Sequence, residues 1–138
     1  MKRILVAVIL FLLVLVPLTS CRGDSYSFNE PIDEIESIEI VSAKNSLEFT
    51  VLKTLSEAEK ENFLKEFQKI KFSNYYIGDP MSVYGNAVKI VYKNGDYEMI
   101  CSDWSEYVKD GTIHFLFKYC DEEDFNKLLD KFWNMDKA

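Results

Sequence analysis

The sequence predicts an α+β domain: a single antiparallel sheet of about five strands, with two helices packed on one face, in the order ββαβββα. Three observations lead there. Strand-like runs are interspersed with just two stretches of helical period, so the strands must pair with one another rather than through repeated crossovers. Asn94-Gly95, a dipeptide preferred by two-residue hairpin turns, stands between two apolar runs. Each helical stretch opens on a residue able to cap it, Ser56 and Asp121.

The elements follow in order. Ile38 and Ile40, flanked by Glu36 and Glu39, mark the first strand. A turn-like Lys44-Asn45-Ser46 leads to the second, where Leu47, Phe49 and Val51 alternate with Glu48 and Thr50 as in a half-buried antiparallel strand. Ser56 with Glu59 three residues on forms a capping box, and the helix behind it aligns Phe63, Leu64, Phe67 and Ile70. Residues 71–86 hold Gly, Pro, Asn and three tyrosines without a period and read as a long connection. A type I′ turn at Asn94-Gly95 would pair Lys93 with Asp96, Tyr92 with Tyr97, Val91 with Glu98, Ile90 with Met99 and Val88 with Cys101. One face then carries Val88, Ile90, Tyr92, Tyr97, Met99 and Cys101. After a polar stretch containing Trp104 and Tyr107, the last strand places Ile113, Phe115, Phe117 and Tyr119 on one face and His114, Leu116 and Lys118 on the other. Asp121 caps the final helix, whose stripe is Phe125, Leu128, Leu129 and Phe132 or Trp133.

The start of the chain has a different character. Lys2 and Arg3 precede an unbroken apolar run at 4–16, which has the length of a signal-peptide core and is short for a bilayer span of about 20 residues. It ends in Leu18-Thr19-Ser20-Cys21, and this segment resembles the bacterial lipoprotein signal: an aliphatic residue, two small residues and a cysteine. The resemblance covers residues 1–21. It implies that residues 1–20 are removed, that the Cys21 thiol carries a diacylglycerol, and that the protein is held on the outer face of the cytoplasmic membrane. One acyl chain holds a protein marginally and two hold it firmly. Residues 21–31 then read as the lipid-bearing cysteine and a flexible tether, able to lift the domain roughly 35 Å at full stretch. Residues 32–138 form the single domain. The Arg-Gly-Asp at 22–24 lies too close to the lipid to be offered to a receptor.

Charge narrows the partners. The chain has 16 basic and 23 acidic residues, a balance of −7, and losing Lys2 and Arg3 takes it to −9. Nucleic acid is excluded as a partner, because phosphate contacts need a basic surface. The membrane is reached through the lipid on Cys21, with an envelope or exported protein as a further partner.

The chemistry-bearing residues are few. His114 is the single histidine and has no metal-ligand spacing around it; no nucleophile motif, phosphate loop or cofactor motif occurs. Asp121, Glu122, Glu123 and Asp124 lack the alternation of a calcium loop and read as a charged first helical turn. If the last strand lies antiparallel beside the one ending at Cys101, then Cys101 and Cys120 sit at opposite sheet edges, roughly 20 Å apart, and a disulfide is disfavoured. A parallel placement would reverse that. Tyr75, Tyr76, Tyr84, Trp104 and Tyr107 fall outside the periodic stripes and are candidate partner-binding residues, since Tyr and Trp favour interfaces. The expected function is a non-catalytic binding domain of the cell envelope. The alternatives are a small envelope hydrolase using paired carboxylates, or an immunity- or inhibitor-type lipoprotein.

Overall fold

The computed structural model describes residues 23–74 and 82–134; the apolar run at 4–16 with Cys21, expected to be a lipoprotein signal, and Tyr75 and Tyr76 lie outside the described residues. Nine strands and two α-helices run in the order β1 (Asp24–Ser25), β2 (Ile35–Ala43), β3 (Phe49–Thr54), α1 (Glu57–Phe67), β4 (Lys71–Ser73), β5 (Gly85–Tyr92), β6 (Tyr97–Ile100), β7 (Ser105–Lys109), β8 (Thr112–Phe115), β9 (Tyr119–Cys120) and α2 (Glu122–Trp133) among the described residues. The fold is α+β, with both helices against one face of the main sheet. The sheet count differs from the single five-stranded sheet expected. There are two antiparallel sheets, one of six strands ordered β3-β2-β5-β6-β7-β8 and one of three ordered β1-β4-β9.

The helices form where their caps and stripes dictate. The Ser56 hydroxyl accepts from the Glu59 amide at 3.4 Å while the Glu59 carboxylate accepts from the Ser56 amide at 2.8 Å, so the capping box is closed. Asp121 accepts from the Asp124 amide at 3.0 Å. Such caps stabilise a helix by about 1 kcal/mol each. Phe63 and Phe67 of α1 meet Phe125, Leu128, Leu129 and Phe132 of α2 in one core, which rests on Ile38, Ile40, Val88, Ile90, Tyr92 and Ile100 of the main sheet. The sheet's second face carries a smaller core of Val41, Ala43, Val83, Ala87, Met99, Cys101 and Trp104, flanked by Phe49 and Tyr97. Leu47 and Val51, expected to be the inward residues of β3, are exposed there because β3 is an edge strand whose apolar side faces away from the helices.

The Asn94-Gly95 hairpin exists, but its register is one residue off the expected pairing. The pairs are Val91 with Tyr97, Ile90 with Glu98, Lys89 with Met99 and Val88 with Ile100. A type I′ turn requires positive φ at both central residues. Gly95 has φ 89, whereas the non-glycine residues with positive φ are Asp110 and Phe117, so Asn94 does not qualify. Instead the Gly95 amide donates to the Tyr92 carbonyl and the Tyr92 amide to the Asp96 carbonyl, both at 2.9 Å, closing a three-residue loop. Asn94 uses its side-chain oxygen to accept the Asp96 amide at 2.9 Å. A one-residue slip turns every side chain of β6 over. Tyr97, Met99 and Cys101 therefore leave the helix face, and Glu98 enters it.

The stretch 102–112, expected to be a connection, contains β7, inserted between β6 and β8. The two-residue turn of this protein is here: Asp110 and Gly111, with φ 49 and 74, between the paired Lys109 and Thr112. The extra strand reverses the direction of β8 and brings Cys120 back to the level of Cys101, where the Cys120 amide donates to the Ser102 carbonyl at 2.8 Å. The separation of roughly 20 Å expected from a direct β6–β8 pairing therefore does not occur. Both thiols are free and buried, Cys120 in the helix-side core and Cys101 in the core of the second face.

The segment expected to be a tether is docked from Gly23 onward. Asp24 pairs with Phe72 and Ser25 with Lys71. A Cβ on Gly23 would lie 2.4 Å from the Phe72 carbonyl oxygen, so only glycine permits this approach. Tyr26 is buried among Phe28, Phe67 and Phe72, with ring centroids 4.9–5.3 Å away.

Candidate functional site at the aromatic edge

The candidate aromatic residues separate into three groups. Tyr75 and Tyr76 lie outside the described residues. Trp104 and Tyr107 are core: Trp104 is 1% exposed and donates its indole N–H to Glu106 at 3.0 Å. The Tyr107 hydroxyl lies between carboxylate oxygens of Glu30 and Asp96, at 3.0 and 3.1 Å. Tyr84 is 74% exposed.

What covers Trp104 is the part that sequence periodicity misplaced. Phe115 meets its ring at a tilt and Phe117 edge to face, centroids 5.8 and 5.4 Å away, and each is 50% exposed. Alternation had put both in the core. They are half-exposed because β8 is the edge strand of the six-stranded sheet, with β7 its one neighbour there. Phe117, just past the strand, has φ 53, a left-handed conformation that is unfavourable for a bulky side chain. Strain of this kind persists where surrounding structure holds it, and it concentrates at functional positions. Ser105 and Lys118 supply part of that hold: the Leu116 amide donates to the Ser105 carbonyl at 3.1 Å, and the Ser105 hydroxyl donates to the Lys118 carbonyl at 3.5 Å. His114 is exposed on the same strand, its ring 6.3 Å from that of Tyr107.

Beside this edge lies a buried carboxylate network that no periodicity argument anticipates. Glu98 is fully buried on the helix face and accepts from the hydroxyls of Tyr26 and Tyr92 and from the Asn29 amide at 2.6 Å. Burial first, and the Glu98 charge second, push the Tyr26 and Tyr92 hydroxyls well above the usual phenol range. Tyr107 is raised as well, by burial and by its bonds to Glu30 and Asp96. Lys118 sits over the Tyr26 ring at 4.2 Å and donates to the Ser27 carbonyl; burial lowers its pKa and Glu98 opposes that fall. These bonds fasten the N-terminal segment to the strand pair that carries Phe115 and Phe117.

The two fully buried carboxylates, of Glu98 and Glu106, do not converge, and those of Glu30 and Asp96 meet on the Tyr107 hydroxyl. Glu98 pairs across the ladder with Tyr107, and Met99 pairs with Glu106, so Glu98 and Glu106 point to opposite faces of the sheet. Glu106, also buried, accepts from the Ser46 hydroxyl and Trp104. A groove of about 320 Å³ between the helices is lined by Glu66, Lys69, Asp124, Lys127 and Lys131. Glu66 there is hydrogen-bonded by Lys69 at 2.9 Å, which holds its carboxyl below the usual range, the wrong direction for a general acid. Burial pushes the Cys101 thiol up and the Cys120 thiol up to about 12, so neither is poised as a nucleophile. Among the described residues, no group of three or more His, Cys, Asp or Glu could hold a metal ion, and no helix is long and apolar enough to cross a membrane.

The arrangement offers a rigid aromatic contact surface on a sheet edge, backed by a satisfied polar network. No family model matches the chain, and neither a curated protein nor a solved structure matches it.

Proposed function

We propose that this protein is a lipid-anchored binding domain of the bacterial cell envelope, held at the outer face of the cytoplasmic membrane through Cys21, and that it engages its partner through the aromatic edge without catalysis. The anchor rests on the resemblance of residues 1–21 to a lipoprotein signal. The binding role rests on one observation above all: Phe115, at the end of the edge strand β8, and Phe117, just past it, are each half-exposed over the buried Trp104, with Phe117 held at φ 53. Large aromatic surfaces fixed in place are what binding sites use, because little side-chain entropy is lost on contact. A carboxylate hydrolase is disfavoured by the same geometry, since the two fully buried acids are occupied as hydrogen-bond acceptors on opposite faces.

Two measurements test the proposal. The mature N-terminal peptide must begin at Cys21 and carry the mass of a diacylglycerol; an unmodified Cys21 overturns the anchor. A photoreactive group at position 115, activated in intact cells, must give an adduct that the Phe117→Ser variant loses. An adduct that survives in that variant, or none at all, overturns binding through this edge.

A further inference from the structure

The position of the aromatic edge relative to the N-terminus names its partner. In the small sheet both β1 and β9 run antiparallel to β4. Gly23 before β1, Asn74 after β4 and Lys118 before β9 therefore emerge at the same end. Strands lie about 4.8 Å apart, so β9 begins roughly 10 Å from β1. Phe117 immediately precedes Lys118, whose side chain reaches back to Tyr26 and the Ser27 carbonyl. The aromatic edge is thus a direct neighbour of the docked N-terminal segment.

That segment has no slack. Gly23 is wedged against the Phe72 backbone, the Ser25 hydroxyl donates to the Gln68 carbonyl at 2.9 Å, and Tyr26 and Asn29 are bonded to Glu98. Cys21 precedes Gly23 by two residues, a reach of about 7 Å at full extension. The headgroup layer of one leaflet is itself about 5–7 Å thick. A domain anchored at Cys21 cannot stand away from the bilayer as a tethered domain would.

We infer that the acylated protein lies flush on the membrane, with Phe115 and Phe117 in contact with the headgroup and upper acyl region of the outer leaflet, so that the partner of the aromatic edge is the lipid surface itself. This rests on the proposal that Cys21 is acylated. The contact is apolar: a mature chain with a balance of −9 is repelled by anionic headgroups, so rings rather than lysines must supply it. It is accordingly not weakened by salt, unlike polybasic membrane binding.

The test places benzoylphenylalanine at position 117 of the full-length protein, expressed in a bacterium that acylates lipoproteins. Irradiated cells are analysed by mass spectrometry for the N-terminal peptide and for the position-117 adduct together. The expected result is an acylated Cys21 and a phospholipid adduct, with the adduct lost when ten Gly and Ser residues are inserted between Arg22 and Gly23. An acylated Cys21 with a protein adduct, with no adduct, or with a lipid adduct that survives the insertion overturns the flush arrangement while leaving the anchor intact. An unmodified Cys21 removes the lipoprotein reading itself.

Discussion

Glu98 shows how much a single residue can carry when a strand slips by one position. It is acidic and fully buried, and three donors converge on it from two parts of the chain: Tyr26 and Asn29 of the N-terminal segment and Tyr92 of β5. Bonds to a charged acceptor contribute about 1.5–3 kcal/mol each, and removing one partner of a buried polar group leaves the others unsatisfied. Glu98→Ala should therefore destabilise the domain by about 3–5 kcal/mol, the range seen when a buried charge network is broken. Urea unfolding checks this; a loss under 1 kcal/mol would show that the network is not what holds the N-terminal segment. None of this was legible in the sequence. Asn94-Gly95 reads as a two-residue turn, and that reading sends Glu98 to the opposite, mixed face of the hairpin with Val91 and Ile100. The signal that separates the two turns is the ability of Asn94 to accept the Asp96 amide through its side chain, an interaction that periodicity does not capture.

At the scale of elements, the legible parts are those in which local chemistry and burial agree. Both helices, their caps and their stripes follow from Ser56, Glu59, Asp121 and the spacing of Phe63, Phe67, Phe125, Leu128, Leu129 and Phe132. β7 was hidden because Ser105 and Glu106 are polar residues buried with partners, so the strand reads as a loop. Its one local marker was Asp110-Gly111. β1, β4 and β9 are two or three residues long and are specified by one another, not by any pattern within themselves. The N-terminal segment tests this directly. Had residues 23–30 been a tether, deleting them would leave stability unchanged. Docked as they are, their removal strips the cover from Phe67 and Phe72 and takes two donors from Glu98. A domain beginning at Pro31 should lose most of its cooperative unfolding transition by heat, a measurement that an unaltered melting temperature would decide the other way.

For the whole molecule, the buried phenols and thiols set the behaviour at alkaline pH. Cys120 is raised to about 12 from an ordinary value of 9.0, and Cys101 is raised with it. Tyr26, Tyr92 and Tyr107 are raised from 10.0. Each group keeps its proton longer when folded than when unfolded, so its contribution to stability is complete below the unfolded value. That contribution is lost progressively as pH climbs above it. Stability should therefore fall above about pH 9 and then more steeply beyond pH 10, with Tyr92→Phe flattening part of the second phase. Chemical denaturation at successive pH values between 7 and 11 reads this out, and a curve that is level to pH 11 would contradict it. The same burial predicts that neither thiol reacts with a disulfide reagent at pH 8 until the chain is unfolded.

The small sheet draws its three strands from residues 24, 72 and 120, so it joins the beginning, middle and end of the chain. A polypeptide emerging from its N-terminus can set Tyr26 against Phe67 and Phe72 once β4 exists, but its hydroxyl must wait for Glu98 and the third strand for Cys120. The first strand of the domain is therefore completed in stages, by partners that arrive about fifty, seventy-five and a hundred residues later.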